Sequence, residues 1–284
     1  MATAGQDYIG PYRLLRLVRA GQTCQIWEAI NSTDNRRIAL KALQRDYRQN
    51  KDELALLKHE YLVGKDLDHP YVIRIYDCNV AGTVPYLVLE YFNAPNLKQA
   101  LRMDVEKLRL LISGAVLKSA QALAYLHDQG WIHCDVKPDN VLMNENGDVR
   151  LIDFAIATRV RRGLGRWFGG RIKVQGTRSY MSPEQIRGEV VDVRTDIYSF
   201  ACMIYELVGG KLPYTAESAN ELLNKHLTAV APPLVSLNPL VSPPFSQLIA
   251  KMMAKRPQER PASFHEFLEQ MEKIRVFRVR PQAT

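Results

Sequence analysis

The chain has 284 residues, of which 46% are hydrophobic and 24% charged, which describes a folded globular protein large enough for one big domain or two lobes. Its formal net charge of +8 raises nucleic acid, anionic lipid or an acidic substrate as partners. The four cysteines are too scattered for a disulfide scaffold or a zinc site, and we interpret them as reduced thiols of a cytoplasmic protein.

The first ninety residues are predicted to form mainly β-strands. Alternating and β-branched residues favour strands at 12–18, 25–30, 37–43, 72–76 and 86–91, joined by short turns as in an antiparallel meander. Between them, residues 50–67 carry apolar side chains at helical spacing and predict an amphipathic helix.

The remainder of the chain is predicted to be mainly helical. Helical periodicity occurs at 104–129, 195–209, 218–227, 244–254 and 264–273, with proline-rich loops between the later segments. The pattern indicates an α+β fold with a small β-rich lobe at about 8–92 and a larger helical lobe at about 93–272. A cleft between two lobes is where ligands tend to bind. We expect the basic residues 273–284 to be a frayed tail.

No segment is predicted to cross a membrane. The most apolar helical candidate, near 108–126, is interrupted by Arg109, Ser113, Lys118 and Gln121 and is expected to be buried in protein. The first ten residues lack the basic start and apolar run of a secretory signal.

Five residues far apart in the sequence stand at positions suited to phosphate and metal chemistry: Lys41, Glu60, Asp135, Asn140 and Asp153. Each one alone has an ordinary explanation, as a strand-end lysine, a helix surface charge or a turn residue. Their order, and the motifs around them, favour a common function.

The chain resembles the eukaryotic-like, or Hanks-type, protein kinases, most closely the bacterial members, from about Tyr12 to Leu268. The matching motifs are Ile38-Ala-Leu-Lys41, His133-Cys-Asp135 with Lys137-Pro-Asp-Asn140, Asp153-Phe-Ala155, Ser182-Pro-Glu184, Asp196, and Arg260 as the partner of Glu184. The resemblance implies one bilobal protein-kinase domain over 1–284.

The resemblance also implies catalytic roles. Lys41 would hold the α- and β-phosphates of ATP while Glu60 orients it, and Asp135 would accept or orient the proton of the attacking hydroxyl. Lys137 would neutralise charge on the transferred phosphoryl group. Asn140 and Asp153 would supply oxygen ligands to Mg²⁺ or Mn²⁺. By the same resemblance, His133 is expected to be a packed, structural histidine.

The nucleotide pocket is likewise implied by the resemblance. Ile26, Ala39 and Leu142 would enclose the adenine, Leu89 would line the back of the pocket, and the backbone of Glu90 and Phe92 would bind the base. The full set expected to bind ATP is Val18, Gly21, Ile26, Ala39, Lys41, Leu89, Glu90, Phe92, Asn96 and Leu142.

The implied activity is transfer of the γ-phosphate of Mg·ATP to a protein hydroxyl. Lys137-Pro138 after Asp135, together with Thr177, resembles the serine/threonine branch. The alternative is a pseudokinase, a nucleotide-binding scaffold or allosteric partner that retains the fold.

Several positions depart from the family pattern. The phosphate loop keeps only Gly21, and Cys134 replaces the arginine that normally binds a phosphorylated activation loop, which defines a non-RD kinase. Between Thr158 and Thr177 there is no Ser, Thr or Tyr to phosphorylate. Ala155 is expected to stiffen the backbone after Asp153. Gly64 stands where a bulky apolar residue is usual, which predicts a loosely docked helix dependent on a partner.

A basic stretch from Arg159 to Arg178 contains no acidic residue. It suggests acidic substrates or an anionic regulator, with a solvated loop as the alternative. Nucleic acid is not an expected partner, because no groove-reading motif or interleaved aromatic residues accompany these charges.

Overall fold

A computed structural model describes residues 8–103, 105–160 and 176–279, and the chain divides into two compact units. The first unit contains residues 1–93 and 153–155, and the second contains residues 94–152 and 156–284. The predicted α+β class is confirmed, since the main sheet lies in the first unit and most helices in the second. The assignment of 1–284 to one domain stays a prediction.

The first unit is built on a six-stranded antiparallel sheet in the order β1-β2-β3-β4-β6-β5. Its elements are β1 (Tyr8–Ile9), β2 (Tyr12–Ala20), β3 (Cys24–Asn31), β4 (Arg37–Leu43), α1 (Lys51–Gly64), β5 (Ile75–Asn79) and β6 (Tyr86–Glu90). The strand predicted at 72–76 begins three residues later than expected. Val72 and Ile73 are buried outside β5, so their apolar character reflects packing in the core.

Strand alternation places the side chains of β4 on two opposite faces. Ile38, Leu40 and Ala42 occupy alternate positions and belong to one buried cluster. Because successive side chains of a strand point to opposite faces, Ala39 and Lys41 lie on the other face. Helix α1 begins at an Asn50 cap, whose side chain accepts hydrogen bonds from two backbone N–H groups of the first turn.

The second unit is predominantly helical. Its elements are α2 (Leu97–Met103), α3 (Val105–Asp128), β7 (Trp131–Ile132), β8 (Val141–Met143), β9 (Val149–Leu151), β10 (Thr158–Arg159), α4 (Pro183–Arg187), α5 (Val193–Gly209), α6 (Ala219–Thr228), α7 (Leu234–Leu237), α8 (Pro243–Met252) and α9 (Phe264–Met271). The helices predicted from periodicity in this part are present, with ends shifted by no more than two residues. Strand β7 pairs with β10, and β8 pairs with β9.

Helix α5 lies at the centre of this unit, with every residue from Thr195 to Val208 buried. Asp192 caps its start, and Gly210 ends it in the left-handed conformation at φ 73°. The ion pair expected between Glu184 and Arg260 is confirmed: it is buried, with two hydrogen bonds of 2.7 and 3.0 Å.

The expectation of a frayed basic tail was wrong for residues 274–278. Val276 and Phe277 are buried, and the backbone N–H of Ser242 donates to the carbonyl of Val276 at 2.9 Å. The N–H of Arg278 donates to Leu240 O at 2.8 Å. The two apolar residues between the arginines dock the segment, whereas our prediction weighed only its charge. Residues 280–284 of the predicted tail lie outside the described residues.

Within the described ranges, no helix combines the length and the apolar character needed to cross a bilayer.

The docked C-terminal segment predicts a stability effect. Phe277→Ala should lower the free energy of unfolding by about 3 kcal/mol or more, because it removes a buried aromatic ring and leaves a cavity. Val279→Ala, two residues away and 71% exposed, is the matched control and should change stability by less than about 0.5 kcal/mol. Urea denaturation measures both, and equal values for the two variants would contradict the docking of this segment.

Candidate active site

The first unit contains a lysine held between two carboxylates. Lys41 Nζ lies 2.6 Å from Glu60 Oε2 and 3.0 Å from Asp153 Oδ1. Strand β4 supplies the lysine, helix α1 supplies Glu60, and the short segment 153–155 supplies the aspartate. Three of the predicted site residues therefore meet at one point.

The charges of this cluster stabilise one another. Burial alone would lower the pKa of Lys41, but the carboxylates of Asp153 and Glu60 raise it well above its ordinary value, so the side chain is an ammonium at neutral pH. Burial raises the pKa of Glu60, and the Lys41 ammonium counteracts that rise. Glu60 is almost fully buried, whereas 36% of the Asp153 side chain is exposed. The exposed carboxylate is the one that a metal could reach.

The backbone that carries Asp153 adopts an unusual conformation. Asp153 has φ 70°, in the left-handed region that residues other than glycine rarely occupy. The following residue, Phe154, is fully buried, and its backbone N–H bonds to Glu60. Glu60 is thus bonded to the segment 153–155 both through Lys41 and directly.

Gly64 does not leave the gap that the sequence predicted. A Cβ atom built at this position would lie 2.4 Å from Ile75 Cδ1 and 3.4 Å from Phe154 Cδ2. The side chain of Ile75, on β5, fills the space that a bulky residue at position 64 would take. The expectation of a loosely packed helix end was wrong, because the volume comes from a different element.

The second unit contains a cluster centred on Asp135. Its Oδ1 accepts hydrogen bonds from the backbone N–H of Thr177 at 2.9 Å and from Thr177 Oγ1 at 3.0 Å. Its Oδ2 accepts from Lys137 Nζ at 2.5 Å and from Asn140 Nδ2 at 3.2 Å. Lys137 also donates to Thr177 Oγ1 at 2.7 Å. The structure thus brings together all three residues predicted for this loop.

The amide of Asn140 has a defined orientation. Its Nδ2 donates to the backbone carbonyl of Asp135 at 2.9 Å, and a carbonyl can only accept. The other amide atom, Oδ1, is therefore the one that could coordinate a metal. Asn140 is buried, and its own backbone carbonyl accepts from Ile152 N at 3.0 Å.

A buried carboxylate holds the backbone that precedes Asp135. Asp196, fully buried on α5, accepts from the N–H of His133 at 2.7 Å and from the N–H of Cys134 at 2.9 Å. His133 is buried and its Nε2 lies 3.1 Å from Ile152 O, which supports a structural role. Burial, together with the nearby Asp196, raises the pKa of the Cys134 thiol well above its ordinary value. The thiol is protonated at neutral pH and is a poor nucleophile.

The residues predicted to contact ATP fall in both units. Those in the first unit are Val18 on β2, Gly21 in the β2–β3 turn, Ile26 on β3, Ala39 and Lys41 on β4, Leu89 and Glu90 on β6, and Phe92 just after it. Ala39 pairs with Leu89 across β4 and β6, and Lys41 pairs with Ile26 across β3 and β4, so these residues share one face. Their role towards nucleotide stays a prediction.

In the second unit, Asn96 and Leu142 form an isolated antiparallel bridge. The Asn96 side chain caps α2, because its Oδ1 accepts from Gln99 N at 2.8 Å and the Asn96 N–H donates to Gln99 Oε1 at 3.0 Å. This capping role was not anticipated from the sequence. A role for Asn96 and Leu142 in nucleotide binding stays a prediction.

Sequence reasoning missed a polar cluster on the face of the sheet that carries Ala39 and Lys41. Glu28 is 3% exposed and accepts from Tyr91 Oη at 2.6 Å, from Arg37 Nε at 2.6 Å and from Arg16 Nη2 at 3.1 Å. No motif signals it, since three of the residues come from the separate strands β2, β3 and β4 and Tyr91 follows β6. Thr177 was noted only as a mark of the serine/threonine branch, yet it contacts both Asp135 and Lys137.

Comparison with known proteins decides the family. The model of the protein kinase domain matches residues 12–271. The chain belongs to this family. The bilobal kinase fold expected from the motifs is therefore confirmed.

This kinase domain has curated relatives in bacteria. It is 31% identical over 267 residues to the probable serine/threonine-protein kinase PknB of Bifidobacterium longum, covering 91% of this chain and 39% of the relative. It is 30% identical over 256 residues to the serine/threonine-protein kinase PrkC of Bacillus subtilis, covering 90% of this chain and 39% of the relative. It is 31% identical over 283 residues to PknA of Mycobacterium tuberculosis, covering 98% and 64%. The kinase domain thus spans about two fifths of the length of the first two relatives.

The contact between Gly64 and Ile75 can be tested by stability measurements. Gly64→Ala should lower the free energy of unfolding by about 1–3 kcal/mol, because the added methyl group overlaps Ile75. The matched control is Gly114→Ala in α3, where an added Cβ meets no atom within 4 Å. That variant should gain up to about 1 kcal/mol from helix propensity.

A second substitution completes the test as a double-mutant cycle. Ile75→Val removes Cδ1 and should be less costly in the Gly64→Ala background than in the wild type. Additive effects of the two substitutions would show that Ile75 does not occupy this space.

Proposed function

We propose that this chain is an ATP-dependent protein kinase that transfers the γ-phosphate of Mg·ATP to a serine or threonine hydroxyl of a protein. The observation that carries the proposal is the Lys41 ammonium held by Glu60 and Asp153. A lysine held in this way is a fixed cation for phosphate, and the exposed aspartate beside it is a hard oxygen ligand.

Each of two residues, one in each unit, offers the kind of oxygen donor that a divalent metal prefers. Asp153 offers a partly exposed carboxylate, and Asn140 offers Oδ1, because its nitrogen is engaged by Asp135 O. We propose these two residues as the metal ligands and Lys41 as the contact to the α- and β-phosphates. The metal, when bound, would neutralise phosphate charge.

Asp135 has the geometry of a base that orients an alcohol. Thr177 and Lys137 fix its carboxylate by hydrogen bonds to both oxygens. A carboxylate held in this way can accept the proton of a substrate hydroxyl as that oxygen attacks phosphorus. Lys137, within reach of the same carboxylate, would balance negative charge on the phosphoryl group in transit.

Serine/threonine specificity is supported by the names of the relatives, all bacterial serine/threonine kinases. It is also supported by Thr177 and by the sequence Asp135-Val-Lys137-Pro138. We propose a role in bacterial signalling and a location in the cytoplasm. The proposed preference for acidic substrates rests on the basic stretch 159–178, most of which lies outside the described residues. The pseudokinase alternative has no observation in its favour.

We further propose that the kinase is of the non-RD type and needs no phosphate on its activation segment. At the position of the usual arginine, Cys134 belongs to a small apolar cluster with Ile132 and Val191, against which Ile156 and Val160 pack. Next to it, the guanidinium of Arg159 lies 3.9 Å from the centre of the Trp131 ring. Packing can therefore order the start of the segment without a phosphate.

Catalysis by Asp135 predicts a large effect of an isosteric change. Asp135→Asn should lower kcat at least about 100-fold, because the amide cannot accept the proton. The matched control is Asp148→Asn, which also removes a carboxylate paired with a lysine, but in the β8–β9 hairpin. Transfer from radiolabelled ATP to one basic and one acidic generic protein measures both variants. Absence of transfer by the wild type, or equal rates for wild type and Asp135→Asn, would refute the proposed activity.

The non-RD proposal predicts independence from phosphatase treatment. Activity should change by less than about 2-fold after complete dephosphorylation, because no phosphate is needed to order the segment. Intact-protein mass spectrometry verifies the removal of phosphate. A loss of most of the activity after treatment would contradict the proposal.

A further inference from the structure

Gln185 occupies an unusual position beside the catalytic loop. It is the third residue of α4, a helix that begins at the cap Ser182, and it is 8% exposed. Ser182 and Gln185 form a capping box, in which the Ser182 side chain accepts from Gln185 N and the Gln185 side chain accepts from Ser182 N. This motif uses only one of the two polar atoms of the glutamine side chain.

The capping box also fixes which way the amide points. The backbone N–H of Ser182 donates to Gln185 Oε1 at 3.0 Å, and a backbone N–H can only donate. The amide nitrogen is therefore the atom that faces the catalytic loop, where Nε2 donates to the carbonyl of Cys134 at 2.8 Å. The orientation follows from the bonding partners on both sides.

The carbonyl that Gln185 holds belongs to a strained residue. Cys134 has φ 66°, a conformation that costs a residue with a side chain about 1 kcal/mol or more. Its N–H is held by Asp196 Oδ1 at 2.9 Å, and its C=O is held by Gln185. Both polar ends of Cys134 are thus pinned by buried side chains from two different helices.

The next residue is Asp135, so the orientation of this peptide sets the direction of its side chain. Gly176 closes the arrangement from the other side, since a Cβ atom there would lie 3.3 Å from Cys134 O and 3.7 Å from Gln185 Nε2. Thr177, the following residue, donates to the Asp135 carboxylate. Gln185 therefore joins the start of α4 to the catalytic loop at the point where the end of the activation segment also arrives.

We propose that Gln185 is a positioning residue for phosphoryl transfer, which fixes the Cys134 peptide and through it the Asp135 carboxylate. The inference rests on the proposed kinase function and goes beyond it by assigning a role outside the family motifs. The competing explanation is that Gln185 only caps α4. The two roles use different atoms, Oε1 for the cap and Nε2 for the loop, and substitutions can separate them.

Gln185→Glu keeps the cap and removes the donor. Glutamate is a common residue at this position of a capping box, but its second oxygen would face the Cys134 carbonyl. We expect kcat to fall about 10- to 100-fold at pH 8 and KM for ATP to change by less than about 2-fold. This split is expected because the lost hydrogen bond orients a reacting residue and does not bind ATP. The matched control, Ser182→Ala, weakens the cap and keeps the Nε2 bond. It should lower the melting temperature while leaving kcat within about 2-fold of the wild type.

The pH dependence of Gln185→Glu supplies a readout that a capping role would not produce. When protonated, the introduced carboxyl can donate to Cys134 O as the amide does. Burial and the neighbouring carboxylates of Asp135 and Asp196 favour its neutral form, opposed by the ammonium of Lys137. The Cys134 thiol, also adjacent, stays neutral. The ratio of wild-type to variant kcat should therefore shrink as the pH is lowered from 8 to 6.

The outcomes separate the two levels of the proposal. Wild-type protein without transferase activity overturns both the kinase function and the role of Gln185. If the wild type is active, three results for Gln185→Glu would each overturn the role of Gln185 alone. These are an unchanged kcat, a defect that lies in KM, and a ratio of wild-type to variant kcat that does not depend on pH. If this variant does not fold by circular dichroism, Gln185→Met, which removes the donor without adding charge, takes its place. A kcat for that variant within 2-fold of the wild type overturns the role.

Discussion

The first unit is organised around the need to keep one ammonium group next to two carboxylates. Lys41 can lie between Glu60 and Asp153 only if β4 turns it away from the core, α1 packs closely on the sheet, and the backbone at Asp153 enters the left-handed region. Each condition has its own source in the sequence. The alternation of Ile38, Leu40 and Ala42 provides the first, and the contact of Gly64 with Ile75 provides the second. The attraction between the Lys41 ammonium and the Asp153 carboxylate offsets the conformational cost of the left-handed backbone at Asp153.

In the second unit, backbone N–H groups stabilise a buried carboxylate. A buried carboxylate without partners would be costly, and Asp196 receives two peptide N–H groups from the residues that precede Asp135. These bonds compensate for the strained conformation of Cys134. Asp135, the proposed base, is in this way supported by Asp196, which is fully buried. Asp196 and Gln185 bond to the backbone of Cys134, whereas its thiol contacts Ile132 O at 3.7 Å. A thiol can therefore stand here in place of an arginine, since the bonds from Asp196 and Gln185 do not depend on the side chain.

Much of this arrangement was predictable because its residues are distinctive chemical types in a fixed order. Lys41, Glu60, Asp135, Lys137, Asn140 and Asp153 could be selected from the sequence, and the structure brings them together within each unit. The missed features depend on contacts between ordinary residues. Nothing in the sequence indicates that Ile75 fills the space beside Gly64, or that Gln185 reaches Cys134 O. The docking of Phe277 was missed because neighbouring arginines masked a short apolar signal.

The polar cluster around Glu28 has a consequence for what can lie along the sheet. Glu28 is paired with Ala39 across β3 and β4, so it shares a face with Ile26 and Lys41. The apolar surface offered by this face ends abruptly at a buried carboxylate bonded to two guanidinium groups and a phenol. A flat aromatic ligand on this face would contact apolar side chains over a limited length and would then meet the charged groups bonded to Glu28. The position of Glu28 would therefore limit how far the apolar part of a ligand could extend along β3.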